Sequence, residues 1–132
     1  MRLPPLVEPG PALTGEESLR TARQTLLPKL GEIGQRRLAA ARIAVIGAGG
    51  LGAPVLSYLA AAGVGTIAII DDDVVDLTNL HRQVIHAASA LGEPKVASAA
   101  RRLREVAPAV VVETHRVRLE AANAADLLRG HD

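Results

Sequence analysis

The sequence lacks cysteine, phenylalanine and tryptophan, and Tyr58 is its single aromatic residue. Without cysteine, the chain can form no disulfide, no thiolate zinc site and no thioester with its own thiol. Without aromatic platforms, it cannot stack exposed bases as proteins that bind single-stranded nucleic acid do. A net charge of +1 adds no long-range attraction to nucleic acid or anionic lipid. The partner class must therefore come from a local site.

Long apolar segments are missing as well. No apolar run reaches the roughly 18 residues that cross a bilayer, and the amino terminus lacks the basic and apolar regions of a signal peptide. We therefore expect a cytoplasmic protein. The 132 residues have the length of one domain, and at 48% hydrophobic they contain enough aliphatic side chains to fill its core.

The first 41 residues contain turn and helix signals. Residues 1–15 include four prolines, which predict a flexible extended tail. Thr14 is followed three residues later by Glu17, the spacing of a capping box at a helix start. A second helix is predicted over residues 29–41. Residues 16–41 are therefore expected to form an amino-terminal helical segment.

From residue 42 onward, short apolar segments alternate with helical patterns. Strands are predicted at "RIAVI", "TIAII" and "AVVVETH"; the first is expected to be buried on both faces and the second to be buried. Helices are predicted over residues 53–63, 92–108 and 119–130. This alternation predicts a Rossmann-like, doubly wound α/β fold with a mostly parallel sheet over residues 42–132. Three strands make a small sheet, so we expect this domain to be incomplete at its carboxyl end and to belong to a larger sheet.

A glycine-rich turn follows the first predicted strand. Gly47, Gly49 and Gly52 match G-x-G-x-x-G, in which glycine permits positive φ angles and lets backbone N–H groups approach a phosphate. Asp71 follows Gly52 by 19 residues, at the end of the second strand, where a carboxylate can bind ribose hydroxyls. NAD and ATP fit this pattern about equally well. Glycines that serve only tight strand-to-helix packing are the third alternative.

The segment after Asp71 favours a triphosphate. It reads "DDDVVDLTNLHRQ", a cluster for which a dehydrogenase has no evident use. Arg82 can clamp phosphate oxygens in a planar fork, and Lys95 offers a mobile point charge to a developing phosphate charge. Each of the two could alone be an ordinary solvated charge. It is the occurrence of both in the segment after Asp71 that indicates phosphate binding.

Three segments resemble a known family. They are "VIGAGGLG", "YLAAAGVGTIAIIDDDVVDLTNLHRQVIH" and "GEPKVASA", which are similar to the HesA/MoeB/ThiF group of enzymes that activate ubiquitin-like proteins. The resemblance covers residues 20–132. It implies a nucleotidyltransferase that uses ATP and Mg²⁺ to adenylate the C-terminal glycine carboxylate of a β-grasp sulfur-carrier protein. Sulfur transfer in molybdopterin or thiamin synthesis is the implied context.

The resemblance also assigns roles to residues of this sequence. Nucleotide contacts are implied for Gly47, Gly49, Gly50, Gly52, Asp71, Asp73, Asn79 and Gln83. Catalytic contacts to the phosphates are implied for Arg82 and Lys95, and for Arg23, which in this family reaches the ATP site of the partner subunit in a homodimer. The family's tyrosine is Thr21 here, which leaves the packing of that segment open.

The magnesium aspartate of the family is expected beyond residue 132. The four histidines share no face, and the sequence predicts no metal site of its own. We therefore expect the 132 residues alone to lack full activity. Two alternatives remain open, an NAD-binding Rossmann oxidoreductase domain and a non-catalytic, truncated remnant.

Overall fold

A computed structural model describes residues 4–132 of the chain. Its strands are β1 (Arg42–Ile46), β2 (Thr66–Ile70) and β3 (Val111–His115). Its α-helices are α1 (Gly15–Thr25), α2 (Gly31–Ala40), α3 (Gly52–Ala61), α4 (Lys95–Val106) and α5 (Ala124–Leu128). Two short 3₁₀ turns, Leu77–Asn79 and Ala88–Ala90, lie between β2 and α4. No described helix has the length and apolar character to cross a membrane.

The three strands form a parallel sheet in the order β1-β2-β3. Ile46, Ile70 and His115 lie in register at its carboxyl edge, so the loops that follow each strand meet there. All five residues of β2 are buried, because β2 has a neighbour on each side. The expected Rossmann-like α/β fold is confirmed.

The prediction that β1 is buried on both faces is wrong. Its interior residues are only partly buried, and Ile46 at its end is 56% exposed. Within residues 4–132, β1 pairs with a strand on one side only, and on its other edge only Arg42 is hydrogen-bonded, to Asp132. An apolar run therefore does not by itself indicate a central strand.

The core lies between the sheet and the helices α3 and α4. Ile67 and Ile69 of β2 pack with Leu56 of α3 and Leu103 of α4, and all four are 0% exposed. Each such side chain contributes about 1.5–3 kcal/mol to folding when it is removed from water. The aliphatic core that the composition implies is therefore centred on β2.

The helix starts and ends differ in part from the sequence predictions. The capping box is confirmed, because Glu17 N donates to Thr14 Oγ1 (3.2 Å) and Thr14 N donates to Glu17 Oε2 (2.7 Å). The second helix begins at Gly31, two residues late, since Leu27 O accepts from the amides of Leu30 and Gly31 in a preceding turn.

The last helix is also shorter than predicted, Ala124–Leu128 instead of residues 119–130. The Asn123 side chain accepts from Glu120 N and donates to Arg118 O, which holds the preceding segment in a loop. Side-chain bonds to the local backbone compete with helix formation in this way.

The helices α1 and α2 attach to the far end of α3. Gln35 of α2 is 1% exposed, and its Nε2 donates to Ala62 O (2.8 Å). Gln24 of α1 donates both to Gln35 Oε1 (2.8 Å) and to Ala62 O (3.0 Å). Ala62 caps the carboxyl end of α3, so the amino-terminal segment lies at the end of α3 opposite the glycine turn.

Gly65 provides a test of this packing. Just before β2, its amide donates to Leu38 O (3.1 Å), and a Cβ atom there would lie 1.9 Å from Ala39 O. We expect Gly65→Ala to lower the free energy of unfolding in urea by about 3 kcal/mol, because α2 must move away from the sheet. The matched control is Gly15→Ala, where nothing lies within 4 Å. It should change stability by no more than about 0.5 kcal/mol. Equal stability of the two variants would contradict this docking of α2.

Candidate nucleotide-binding site

The glycine turn lies at the carboxyl edge of the sheet, between β1 and α3. Gly47 adopts a φ of +95°, and its amide donates to Ile70 O (2.8 Å) of the neighbouring strand. A Cβ atom on Gly52 would lie 1.9 Å from Gly47 O, so the turn closes on itself too tightly for a side chain. The two physical reasons for glycine, a positive φ and a close approach, are therefore both present.

Asp71 holds this turn in place. It follows β2 directly, and its Oδ2 accepts from Ala48 N at 2.8 Å. Its Oδ1 accepts from Asp73 N, also at 2.8 Å. Each carboxylate oxygen can accept a second hydrogen bond, so Asp71 keeps capacity for further hydroxyl donors. The structure thus brings Asp71 to the glycine turn, as its spacing in the sequence predicts.

Arg82 lies against the glycine turn. A Cβ atom on Gly50 would lie 2.7 Å from Arg82 Nη1, which places the guanidinium directly against Gly50. Arg82 Nη2 donates to Asn79 Oδ1 (2.9 Å), so Asn79 orients the guanidinium group. Arg82, Asn79 and the glycine turn therefore form one cluster. Part of the role of Asn79 is to hold Arg82.

Gln83 occupies the inner side of this cluster. It is 3% exposed, and its Nε2 would lie 3.4 Å from a Cβ atom on Gly49. Its Oε1 is buried and has no hydrogen-bond partner among residues 4–132. Gln83 is therefore a buried amide beside the turn.

Lys95 begins α4 and forms an ion pair that the sequence does not predict. Its Nζ donates to Asp73 Oδ2 at 2.6 Å; the Lys95 side chain is 6% exposed and that of Asp73 is 58% exposed. The hydrogen bond from Lys95, and then that from Val74 N, hold the pKa of the Asp73 carboxyl below its ordinary value. The pair therefore places a buried cation beside a half-exposed carboxylate.

Arg23 is the one predicted catalytic residue that lies elsewhere. It is exposed in the last turn of α1, next to the carboxyl end of α3. The 10 residues of α3 separate that end from the glycine turn, a length of about 15 Å. The structure does not bring Arg23 to the turn of its own chain.

His86 joins the site unexpectedly. It is 6% exposed; its Nε2 lies 2.8 Å from Ala48 O and its Nδ1 lies 2.9 Å from Ser98 Oγ. Burial lowers the pKa of His86; the Lys95 charge acts in the same direction, against the Ala48 hydrogen bond and Asp71. Its partners are 38 and 12 positions away, so no local spacing could reveal the contacts. Its place just after "NLHRQ" is the only signal in the sequence.

A cavity of about 570 Å³ lies at the opposite end of the sheet, between α1 and the starts of β2 and β3. Two of its buried polar side chains are already paired within the chain: Thr21 Oγ1 donates to Glu17 O, and Gln35 bonds Gln24 and Ala62. Most of the other lining residues are glycine, alanine, valine or proline. The glycine turn remains the candidate site.

The fold and the glycine turn define a Rossmann-like α/β domain with a candidate nucleotide-binding loop. The ThiF family matches residues 21–132, and the chain belongs to this family. Its relatives include proteins named adenylyltransferases, one of them a sulfur carrier protein adenylyltransferase, which supports the general enzyme type.

Three relatives illustrate the similarity. The chain is 54% identical over 130 residues to the probable adenylyltransferase/sulfurtransferase MoeZ of Mycobacterium tuberculosis, 98% of this chain and 33% of MoeZ. It is 50% identical over 129 residues to the mouse adenylyltransferase and sulfurtransferase MOCS3, 98% of this chain and 28% of that protein. The sulfur carrier protein adenylyltransferase of Thermus thermophilus is 49% identical over 119 residues, 90% of this chain and 44% of the relative. The chain thus spans less than half the length of each relative.

Solved structures support the same conclusion. E. coli tRNA N6-threonylcarbamoyladenosine dehydratase TcdA in complex with ATP matches with a TM-score of 0.83 and 29% identity, covering 89% of this chain and 47% of that chain. E. coli MccB with AMPCPP and MccA matches with a TM-score of 0.73 and 30% identity, covering 88% and 36%. ATP and its analogue are therefore ligands of proteins with this fold.

The buried His86 ring predicts a pH dependence of stability. Its pKa in the folded chain lies below the ordinary value of about 6.5 that it regains on unfolding. As pH falls below that value, the unfolded chain takes up a proton that the folded chain does not, so the free energy of unfolding decreases. Urea denaturation at pH 7.5 and 5.5 should show this loss in the wild type and in the exposed-site control His81→Gln, and show less of it in His86→Gln. Identical pH slopes in all three proteins would contradict the assignment.

Proposed function

We propose that this chain supplies the ATP-binding part of an enzyme that adenylates the C-terminal carboxylate of a small sulfur-carrier protein. The observation that carries the proposal is that one glycine turn contacts both the Arg82 guanidinium, at Gly50, and the Asp71 carboxylate, at Ala48. A planar cation over a glycine turn fits a chain of phosphates, and a carboxylate beside it fits ribose hydroxyls. The names of the relatives support the reaction and the class of partner.

In the proposed complex, the turn and the amino end of α3 direct backbone N–H groups toward the phosphates. Asp71 accepts hydrogen bonds from the ribose, and Arg82, held by Asn79, binds phosphate oxygens in a fork. Gln83 has a buried acceptor beside the turn and takes the role of a supporting nucleotide contact. These residues act by binding and orienting the nucleotide.

The proposed reaction is an in-line displacement. A carboxylate oxygen of the carrier attacks the α-phosphorus of ATP, the bond between that phosphorus and the bridging oxygen breaks, and pyrophosphate leaves with the electron pair. Such a step requires positioning and charge neutralisation more than covalent help from the protein. Lys95 uses one of the three ammonium donors on Asp73 and keeps two for the phosphates.

Magnesium belongs to this proposal together with ATP. Mg²⁺ is usually held by substrate phosphates and one or two carboxylates, and when bound it neutralises phosphate charge. Asp73 is half-exposed and could add one oxygen, but both of its oxygens already accept hydrogen bonds, from Lys95 and Val74. Within residues 4–132, no three His, Asp or Glu side chains are grouped to hold a metal ion. We place the main magnesium aspartate beyond residue 132 and expect the 132 residues alone to lack full activity.

The proposal includes a homodimer in which Arg23 contacts the ATP site of a second copy. Arg23 is exposed in the last turn of α1, at the end of α3 opposite the glycine turn, and exposed leucines of α1 and of the segment after it are close to it in the sequence. Leu19, Leu26 and Leu27 are 81%, 79% and 58% exposed. Contiguous exposed apolar residues are typical of association surfaces. A second chain would cover these leucines and bring Arg23 to a site that lacks it.

Nucleotide titration tests the binding half of the proposal. We expect ATP to bind the chain in isothermal titration calorimetry and NAD to bind far more weakly, because the Arg82 fork matches a triphosphate. Arg82→Ala should weaken ATP binding by at least about tenfold, the cost of hydrogen bonds to a charged group. The control Arg102→Ala removes an exposed arginine paired with Glu105 on α4 and should leave the affinity unchanged. Binding of NAD alone would favour an oxidoreductase domain, and binding of neither nucleotide would favour a non-catalytic remnant.

Mixing two inactive variants tests the homodimer. In the full-length protein with its carrier, Arg23→Ala and Arg82→Ala should each abolish ATP–pyrophosphate exchange. After unfolding and refolding together, half the dimers would be mixed, and each would contain one intact site, so about a quarter of wild-type exchange should return. Recovery of no activity, or full activity in Arg23→Ala alone, would remove the partner-site role of Arg23.

A further inference from the structure

His86 contacts both the glycine turn and α4 and thereby connects them. We propose that His86 is a positioning residue that sets the orientation of the peptide group between Ala48 and Gly49. It thereby aims the N–H of Gly49, and that of Gly50 after it, at phosphate. This inference rests on the proposed function, because it gives His86 a part in ATP binding. Its basis is geometric: the ring bridges a carbonyl of the turn and a hydroxyl of α4, and both contacts are buried.

The peptide groups before and after Ala48 are each held by a side chain. The Ala48 N–H, in the peptide that follows Gly47, donates to Asp71 Oδ2 at 2.8 Å, and the Ala48 C=O, in the peptide that precedes Gly49, lies 2.8 Å from His86 Nε2. Ala48 itself is 0% exposed, so water cannot replace either partner. The glycines at positions 47 and 49 give these two peptides little resistance to rotation. The two side chains therefore supply the rigidity that the glycines lack.

The two contacts also determine which nitrogen carries the proton. Ala48 O can only accept, so Nε2 must donate, and in the neutral ring Nδ1 then accepts from the Ser98 hydroxyl. The Ala48 carbonyl thus selects the tautomer, and the Ser98 hydroxyl satisfies the remaining ring nitrogen. It lies three residues after Lys95, one turn along the same face of α4. The ring consequently fixes the distance between the glycine turn and the helix that presents the Lys95 ammonium.

The charged groups around the ring are consistent with this role. Lys95 on α4 and Asp71 after β2 act on it through space in opposite directions, and neither is bonded to it. Among the described residues, no carboxylate hydrogen-bonds the ring, so nothing holds the imidazole as a cation. A neutral ring with both nitrogens hydrogen-bonded within the chain positions the turn and does not bind phosphate.

A merely structural histidine would affect stability and leave ATP affinity unchanged. We therefore compare His86→Ala, which removes both bonds, with His86→Gln, whose amide can still donate to Ala48 O. The matched control is Val64→Ala, which shortens a side chain that is 2% exposed near the far end of α3 and should lower stability without touching the turn. Each variant is titrated with ATP by calorimetry well below its own unfolding temperature.

We expect His86→Ala to weaken ATP binding about tenfold, the effect of losing one hydrogen bond to the turn. His86→Gln should bind nearly as well as the wild type, because its amide keeps the hydrogen bond to Ala48 O. Val64→Ala should bind ATP like the wild type. Unchanged affinity in His86→Ala, or an equal loss in Val64→Ala, would overturn the inference. Failure of the wild type to bind ATP would overturn the proposed function. Normal ATP binding by both the wild type and His86→Ala would instead overturn only the role of His86.

Nuclear magnetic resonance of the wild-type chain tests the inference even if His86→Ala does not fold. Long-range ¹H–¹⁵N spectra should show His86 protonated at Nε2 only. Ser98→Ala removes the partner of Nδ1 on α4, loosens the ring and should shift the Gly49 and Gly50 amides. Protonation at Nδ1, or unmoved glycine amides in Ser98→Ala, would contradict the proposed coupling between α4 and the turn.

Discussion

The hydrogen bond from the Ala48 amide to the Asp71 carboxylate is the contact on which the site depends. It joins the loop after β1 to the loop after β2, at the one edge of the sheet where both strands end. The register of the parallel strands brings these loops side by side, and the buried residues of β2 hold that register. The core between β2, α3 and α4 thus determines the geometry of the glycine turn.

Charge is distributed unevenly between the two ends of the molecule. Arg82 and the Lys95–Asp73 pair lie at the carboxyl edge of the sheet, where bound phosphates would meet two cations. Arg23 lies at the other end, close in sequence to the exposed Leu19, Leu26 and Leu27. Within one chain, the length of α3 separates these groups. The proposed dimer would supply the missing contact.

The sequence predicts those features that depend on neighbours in the chain. The capping box at Thr14 and Glu17 is of this kind, as is the spacing from Gly52 to Asp71, and both occur in the structure. Contacts between distant positions are not predictable in this way. The half-buried state of β1 depends on which strand lies beside it, and the bond from His86 to Ala48 spans 38 positions. Tertiary packing decides such features.

The central claim is that the glycine turn, Asp71 and Arg82 form an ATP site. Chemical-shift mapping of the ¹⁵N-labelled chain during ATP titration tests it most directly, because each residue reports separately. We expect the largest shifts at the Gly49 and Gly50 amides and the Arg82 side chain. Shifts confined to Gly63 and Val64, which line the cavity at the opposite end of the sheet, would contradict it.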